Sequence, residues 1–553
     1  MALPSCLFGL ASSSPRGMPR YALRATRHER CGAPCPPKAA EPPNCLAHAE
    51  IPRLHPRTAR PAQRARNDRL LNSSSSLVAP GCSYNISVIQ RTAAVAAAKA
   101  TAAVSRRFRL GGGTALPGLV AERIDPDVIQ ELSAQLNLGS VIITGTNGKT
   151  TTARLLRSIV KEAGLKPVAN RAGSNMMRGI AAALVDAASW SGDIASAERR
   201  LGIFEVDEAT LPLVANAVRP RAVLFTNLFR DQLDRYGEVE TVAAVWRAAV
   251  SELLAEATVV LNVDDPSVAA LASAAEGRVV KYGMEDTSSG AAKLEHAADA
   301  RWCTACGSEL GYAAVMYGHL GHWRCPKCGN ARPEPDVFCG LFQTGANGSH
   351  VTLKLPGGLV EASLPLTGLY NAYNALAAAA AAAALGLGRA AVQRGLNSAT
   401  AGFGRQERMF VGGRDVQIML AKNPAGLNQV LRTITANGSE ADLLVLLNDN
   451  IADGRDVSWI WDVDFELLEG KTHSVTVSGV RAWDMALRLK YAGIDGGGAT
   501  THVEPEPAQA LKRALSATPE GSTLYVIPTY TAMLEVRDLL ARWAGRGAFW
   551  EAE

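Results

Sequence analysis

The chain has 553 residues, 47% of them hydrophobic and 20% charged, the balance of a soluble globular protein with room for two or three domains. Its longest apolar run, the alanine-rich stretch after Asn374, falls short of the ~20 residues that a bilayer crossing requires, so no transmembrane segment is expected. The net charge of +5 is uneven: residues 1–110 hold seventeen Lys or Arg against four acids, the other 443 carry −8, and a body so mildly acidic does not suggest nucleic-acid binding.

The basic segment opens MALPSCLFGLASSSPRG and is rich in Arg, Ser, Pro and Ala without sustained periodicity. That composition predicts a disordered organelle transit peptide over 1–85, with a basic tail of some other role as the competing reading. Cys6, Cys31, Cys35, Cys45 and Cys82 lie in or beside this leader, four more cysteines form two CxxC pairs, and only Cys339 is left over. Such usage suggests a reducing compartment and no disulfide framework.

The folded part is expected to start near residue 88 with the helical pattern SVIQRTAAVAAAKATAAVSRRF, followed by GGGT at 111–114 and a second amphipathic helix, DPDVIQELSAQL. Next comes VIITGTNGKTTTARLLRSIVKEAG, in which Val141 to Thr144 read as a buried parallel strand and Thr150 onward as a helix. The loop between them, Gly145, Thr146, Asn147, Gly148 and Lys149, would aim backbone N–H groups and a helix N-terminus at an anion. Lys149 would add charge for the outer phosphates, and the hydroxyls of Thr150 and Thr151 continue the site, with Thr150 suited to Mg²⁺.

Further strands end in polar clusters: Glu205, Asp207 and Glu208 in LGIFEVDEA; Asn227, Asp231 and Asp234 in RAVLFTNLFRDQLDRYG; Asn262, Asp264 and Asp265 in ATVVLNVDDP. Each alone reads as a cap or solvated turn. Gathered at the carboxyl ends of successive strands they mark the binding edge of a doubly wound sheet, where carboxylates would hold Mg²⁺.

The run CTACGSELGYAAVMYGHLGHWRCPKCG places Cys303, Cys306, Cys325 and Cys328 in two pairs with eighteen residues between them. This spacing predicts a tetrahedral Cys₄ zinc site bridged by a β-hairpin, with Gly307 and Gly329 permitting the tight turns. A redox dithiol is the weaker alternative. His319 and His322 read as surface residues, and the ribbon as an insertion that holds shape, with a possible part in docking, and does no chemistry.

The motifs TGTNGKTTT, EVDEA, TNLFRDQLDRYGE, NVDDP, GLYNAYNALAA and GRQERM occur here in an order that resembles the Mur-type ligases, ATP-dependent enzymes that activate a carboxylate as an acyl phosphate and join it to an amine. Within that superfamily the ribbon and LNDNIADGRDVSWIWD (447–462) resemble the MurT family, the ligase subunits of lipid II isoglutaminyl synthase, from about residue 88 to the C-terminus. The resemblance implies an α/β fold: a central P-loop ATPase domain over 88–395 with the zinc ribbon inserted at 300–335, and a smaller α/β C-terminal domain over 400–553. It implies Asn371 and Asn374 near the adenine, Arg405 reaching phosphate from the C-terminal domain, and Thr150 and Glu205 near Mg²⁺. The cofactors are then ATP, Mg²⁺ and Zn²⁺. Departures from the amino-acid-adding members fit ammonia as the nucleophile: Gln232 stands where they have a metal-associated histidine, their carbamylated lysine falls at Trp246, and Met419-Leu420-Ala421-Lys422-Asn423-Pro424 replaces DYAHNP.

The resemblance further implies a GatD-like glutaminase partner whose catalytic triad takes an aspartate from this chain, and a lipid-linked muropeptide substrate. Asp456 is preferred for that aspartate because it follows Gly454 and precedes an apolar anchor; Asp453, Asp449 and Asp462 are the alternatives. The expected reaction is amidation of D-glutamate to D-isoglutamine, and the expected location a plastid (the chloroplast stroma) rather than a mitochondrion. A free-standing Mur or folylpolyglutamate-type amino-acid ligase, or a non-catalytic nucleotide-binding homologue, are the competing readings.

Overall fold

The structure, a computed structural model, describes residues 80–545 apart from 109–114, 172, 232–237, 292, 297, 346–347, 401, 403, 437, 439 and 495–499. The transit-peptide expectation for 1–85 falls almost wholly outside the described residues, as does Asp234. The first helix spans Pro80–Phe108, beginning before the expected residue 88, and the next, Leu116–Ile124, had no counterpart in the sequence reading. No described helix is long and apolar enough to cross a membrane.

Among the described residues the first sheet has nine strands in the order β11-β10-β9-β6-β5-β4-β1-β3-β2. These are β1 (Ser140–Thr144), β2 (Lys166–Ala169), β3 (Arg200–Glu205), β4 (Ala222–Phe225), β5 (Thr258–Asn262), β6 (Val279–Met284), β9 (Val337–Gly345), β10 (Gly348–Leu355) and β11 (Gly358–Leu364). From β2 to β9 every neighbour is parallel, and β10 and β11 close the edge antiparallel. Every residue of β1, β4 and β5 is buried, as expected of parallel strands covered by helices on both faces. The chain leaves β1 for β2 and β3 on one side and returns to β4 on the other. The switch point therefore lies between the carboxyl ends of β1 and β4, where ligands bind in such sheets.

One covering helix, Leu369–Ala384, buries thirteen residues, eight of them alanine, against β4, β5, β6, β9, β10 and helix Lys149–Glu162. Methyl-sized side chains let it lie close to the sheet on all sides, and Ala375 and Ala378 to Ala382 have no measurable exposure. The cysteine-bearing insertion adds a separate two-stranded sheet, β7 (Gly311–Tyr317) with β8 (Leu320–Arg324).

The second large sheet runs β12-β13-β17-β14-β15-β16, comprising β12 (Arg405–Val411), β13 (Arg414–Met419), β14 (Ala441–Leu446), β15 (Thr472–Ser478), β16 (Thr500–Val503) and β17 (Thr523–Pro528). Only β12 is antiparallel to its neighbour. The expected α/β layers, a larger central one and a smaller C-terminal one, are both present.

Candidate active site and cysteine knuckle

The loop after β1 is built on two glycines in conformations that side chains resist. Gly145 has φ 136° and a Cβ there would sit 2.0 Å from the Thr226 hydroxyl; Gly148 has φ 88° and a Cβ would sit 2.1 Å from Asn374 Oδ1. The chain segment after β4 grips the residues between them. The Thr146 amide donates to the Asn227 carbonyl (2.9 Å), the Asn147 amide to Asn227 Oδ1 (2.8 Å), and the Thr226 hydroxyl to the Asn147 carbonyl (2.8 Å). Asn374 reaches the same corner from the alanine helix, accepting from the Thr152 hydroxyl (3.4 Å) and donating to Asn371 Oδ1 (3.2 Å). Asn374 thus stands against the phosphate loop itself, with Asn371 bonded behind it.

Four charged side chains alternate beside this loop. Lys149 Nζ pairs with Glu208 Oε1 at 3.0 Å and donates to the carbonyls of Gly145 and Thr146. Lys422, arriving from the C-terminal sheet, pairs with Asp231. Burial pushes the Glu208 carboxyl up, with Lys149 and Lys422 acting against it. Burial also opposes the charge of Lys422, but Asp231 and Glu208 outweigh it and hold its pKa above the ordinary lysine value. Next to Lys422, Asn423 caps helix Pro424–Thr435 and exchanges amide hydrogen bonds with Asn147, Asn423 Nδ2 donating to Asn147 Oδ1 at 3.0 Å. The segment between β13 and this helix therefore touches the phosphate loop directly. Sequence reasoning noted Lys422 and Asn423 only as departures from a family motif, since their approach depends on a separation of 276 residues between Asn423 and Asn147.

Thr150 Oγ1 donates to Glu205 Oε1 at 3.0 Å, bringing together the hydroxyl and the carboxylate singled out for Mg²⁺. Asn170 brackets Glu205 by bonding its backbone N–H and C=O (2.9 and 2.8 Å). Arg405 lies close enough for Glu205 to oppose the lowering of its pKa by burial. The following residue, Gln406, holds φ 57° while its amide bonds Thr367, just ahead of the alanine helix, and Tyr370 in its first turn. Such strain, of order 1–3 kcal/mol, persists only where neighbours impose it. Trp246 is buried, its indole donating to the Glu208 carbonyl at 3.2 Å.

Two sequence expectations need correction here. Asp264 and Asp265 are fully buried and committed to protein partners, which leaves them no role as open Mg²⁺ ligands. Asp265 caps helix Pro266–Ala269, and Asp264 accepts from Arg332 (2.6 Å), the Tyr373 hydroxyl (2.6 Å) and the Met284 amide (2.8 Å). His319, expected at the surface, has no exposure and bonds Asp265 at 3.2 Å. His322 is partly buried against the Met284 carbonyl (2.8 Å). Nothing in the local sequence distinguishes these histidines from solvated ones; their placement follows from how the hairpin folds onto the strand ends.

Cys303, Cys306, Cys325 and Cys328 bring four sulfurs within 4.8 Å of one another. A tetrahedral metal with ~2.3 Å metal–sulfur bonds sets sulfurs ~3.8 Å apart, so the donor set fits. Both turns repeat one pattern, the Gly307 amide bonding the Cys303 carbonyl (2.8 Å) and the Gly329 amide the Cys325 carbonyl (3.1 Å). The Ser308 backbone and hydroxyl draw the Cys306 thiol down to about 6. The Asn330 amide lowers Cys328, yet the sulfurs around it push it up to about 12. A bound dication would hold all four as thiolates.

The segment 448–462 separates its four aspartates. Asp453 is buried and accepts from the Thr531 amide (2.8 Å) and hydroxyl, fixing the start of helix Tyr530–Trp543. Asp449 pairs with Arg481 (3.1 Å) and Asp462 with Arg230 (3.3 Å). Asp456 is exposed, and its carboxyl is held below the usual range by the Ser458 hydroxyl and amide, the latter at 2.8 Å.

The model of the Mur ligase middle domain matches residues 143–312, and that of the MurT ligase C-terminal domain matches residues 420–533. The subunit MurT of lipid II isoglutaminyl synthase (glutamine-hydrolyzing) from Streptococcus pneumoniae is 35% identical over 436 residues, 78% of this chain and 93% of its own. The chain belongs to the MurT family. The Staphylococcus aureus subunit of the same name is 33% identical over 449 residues, 81% of this chain and 96% of its own. A pseudomurein peptide ligase type C from Methanothermus fervidus superposes with a TM-score of 0.54 at 24% identity, covering 74% of this chain and 80% of that one, a likeness of fold.

Membership of the MurT family makes this chain a ligase subunit, and Mur ligases use ATP and Mg²⁺. The hard oxygen donors of Thr150 and Glu205 fit Mg²⁺. In this MurT-family chain the lysine of the loop and the lysine of the C-terminal sheet converge on one carboxylate, Glu208.

Proposed function

We propose that this chain is the ligase half of a glutamine-dependent amidating enzyme acting on a lipid-linked peptidoglycan precursor. The reading is carried by the near-full-length likeness to MurT subunits, which runs through both the phosphate loop and the 448–462 segment. Gly145 to Thr151 would cradle the ATP phosphates, Lys149 and Arg405 would meet the charge on the transferred group, and Asn371 and Asn374 would back the nucleotide. Thr150 and Glu205 would hold Mg²⁺, which supplies charge neutralisation at the phosphates. The α-carboxylate of D-glutamate attacks the γ-phosphorus, ADP departs, and an acyl phosphate forms. Ammonia then attacks the acyl carbon, phosphate leaves, and loss of a proton gives D-isoglutamine.

Ammonia is largely protonated at neutral pH, so a generator is needed, and a GatD-like glutaminase fits. Asp456 would complete its triad, orienting a histidine and stabilising its charged form. An apolar face continuous with this segment suits such a partner. Val480, Trp483 and Tyr491 are 69%, 69% and 72% exposed, Ile451 is 80% exposed, and Arg481 ties the face to Asp449. Aromatic residues of this kind are enriched at interfaces. The basic leader supports import into a plastid, which uptake of labelled precursor by isolated plastids would check.

The test is product analysis with ATP, Mg²⁺ and the lipid-linked precursor. Ammonium should give the amidated product with this chain alone, and glutamine should do so only with the glutaminase present. Incorporation of an amino acid in place of ammonia would overturn the reading.

Zinc is the metal proposed for the cysteine knuckle. Elemental analysis should find about one zinc per chain, and Cys303→Ser with Cys306→Ser should remove it and lower the melting temperature, because binding there is coupled to local folding. A fully stable, zinc-free protein would refute this.

A further inference from the structure

The hairpin that joins the two cysteine pairs ends in Tyr317-Gly318-His319, and this turn is pressed against Asn227-Leu228-Phe229, the segment that grips the phosphate loop. The Tyr317 hydroxyl accepts from Asn227 Nδ2 at 3.3 Å, and that same amide group donates to the Asn147 carbonyl at 3.1 Å. His319 Nδ1 accepts from the Asp299 amide at 3.3 Å, so Nε2 carries the hydrogen given to Asp265 Oδ2 at 3.2 Å. That same oxygen accepts the Leu228 amide at 2.8 Å. Phe229 then brackets the Thr146 side chain, its amide donating to Oγ1 (2.9 Å) and its carbonyl accepting from it (3.0 Å). The Phe229 ring lies 5.7 Å from that of Tyr317 and 4.4 Å from that of His319. Gly318 is the close approach between them, since a Cβ there would fall 2.4 Å from the Phe229 ring.

We infer that Tyr317 and His319 are positioning residues for the phosphate loop, so that the ribbon, expected from sequence to hold shape and do no chemistry, sets the geometry in which Thr146 and Asn147 meet ATP. Loop amides recognise phosphate only when their backbone is held within about 0.5 Å of the productive geometry, and a supporting layer of fixed partners does this. Asn227 and Phe229 supply that layer, and the hairpin turn fixes them in place.

The inference rests on the proposal that Gly145 to Thr151 bind ATP, and the experiment separates the two. Nucleotide binding is measured by calorimetry on the full chain with Mg²⁺, alongside KM values for ATP and ammonium. Tyr317→Phe keeps the ring and should weaken ATP about fivefold, roughly the worth of one hydrogen bond, with KM for ATP rising in step and KM for ammonium unmoved. His319→Leu should weaken ATP about tenfold or more, and His319→Gln, whose amide can still donate to Asp265, should recover most of the loss. Tyr312→Phe is the control, because its hydroxyl bonds the Ala300 carbonyl (2.7 Å) beside the cysteines and away from the loop; ATP affinity should be unchanged. If Lys149→Ala weakens ATP while Tyr317→Phe and His319→Leu do not, the positioning role is wrong and the phosphate site stands. If Lys149→Ala leaves ATP binding intact, both fall.

Discussion

Lys149→Ala is expected to abolish ligase activity with either ammonium or glutamine as nitrogen source. Removing one preorganised charge at a transferring phosphoryl group costs about 10²–10³ in rate, roughly 3–4 kcal/mol, and more where the group also positions the phosphate. The structure adds a second consequence. Lys149 is the nearest partner of Glu208, and both side chains are only 8% exposed, so the single variant strands a buried carboxylate and should also lose stability. Lys149→Gln combined with Glu208→Gln removes both charges, and this double variant should recover most of the melting temperature while remaining inactive. Rate assays and thermal melts on the three proteins check this. Near-normal amidation by Lys149→Ala would show that the loop does not handle the transferred phosphate.

Asp456→Asn should divide the two halves of the reaction. Glutamine-driven amidation should fall by about 10⁴, the loss seen when a triad carboxylate becomes an amide, while high ammonium at raised pH should restore product with ATP. The exposed Asp456 makes its defined contacts within its own turn, so the substitution should leave the melting temperature nearly unchanged. Its neighbours predict different outcomes. Asp453→Asn breaks the cap on helix Tyr530–Trp543, and should lower stability and both activities together. Asp449→Asn and Asp462→Asn release Arg481 and Arg230 from partly exposed ion pairs, worth about 1 kcal/mol or less each. Equal failure of Asp456→Asn with glutamine and with ammonia would assign the residue to the ligase site or to folding.

Part of this molecule is legible in its sequence because the chemistry there is local. The phosphate loop could be read because strand, two glycines, lysine and helix lie within a dozen residues, and the knuckle because ligand spacing is itself the signal. Thr150 and Glu205 do meet, Thr150 in the first turn of the helix that follows β1 and Glu205 at the end of the adjacent strand β3. Legibility failed where function-like residues meet across long separations. Asp265 and His319 are 54 residues apart and Lys422 and Asp231 are 191 apart, and no periodicity or spacing encodes such meetings. Asp264 and Asp265 misled because a buried hub and a metal site use the same residue types. What tells them apart is whether Arg332, Tyr373 and two backbone amides already occupy their lone pairs.

The alanine helix carries a consequence for how this sequence can drift. A run of one small residue looks like filler, of the kind that lengthens and shortens freely in evolving genes. Here it behaves as a spacer of fixed length between Asn374, which sits against the phosphate loop, and Leu385, which ends the helix in the core. One residue added or lost within it turns everything on one side by about 100° and shifts it by about 1.5 Å, which would swing either the asparagine or the hydrophobic terminus out of place. Exchange of an alanine for a longer side chain would force the sheet and the helix apart. The stretch of lowest apparent information is therefore among the least free to change, in length as well as in composition.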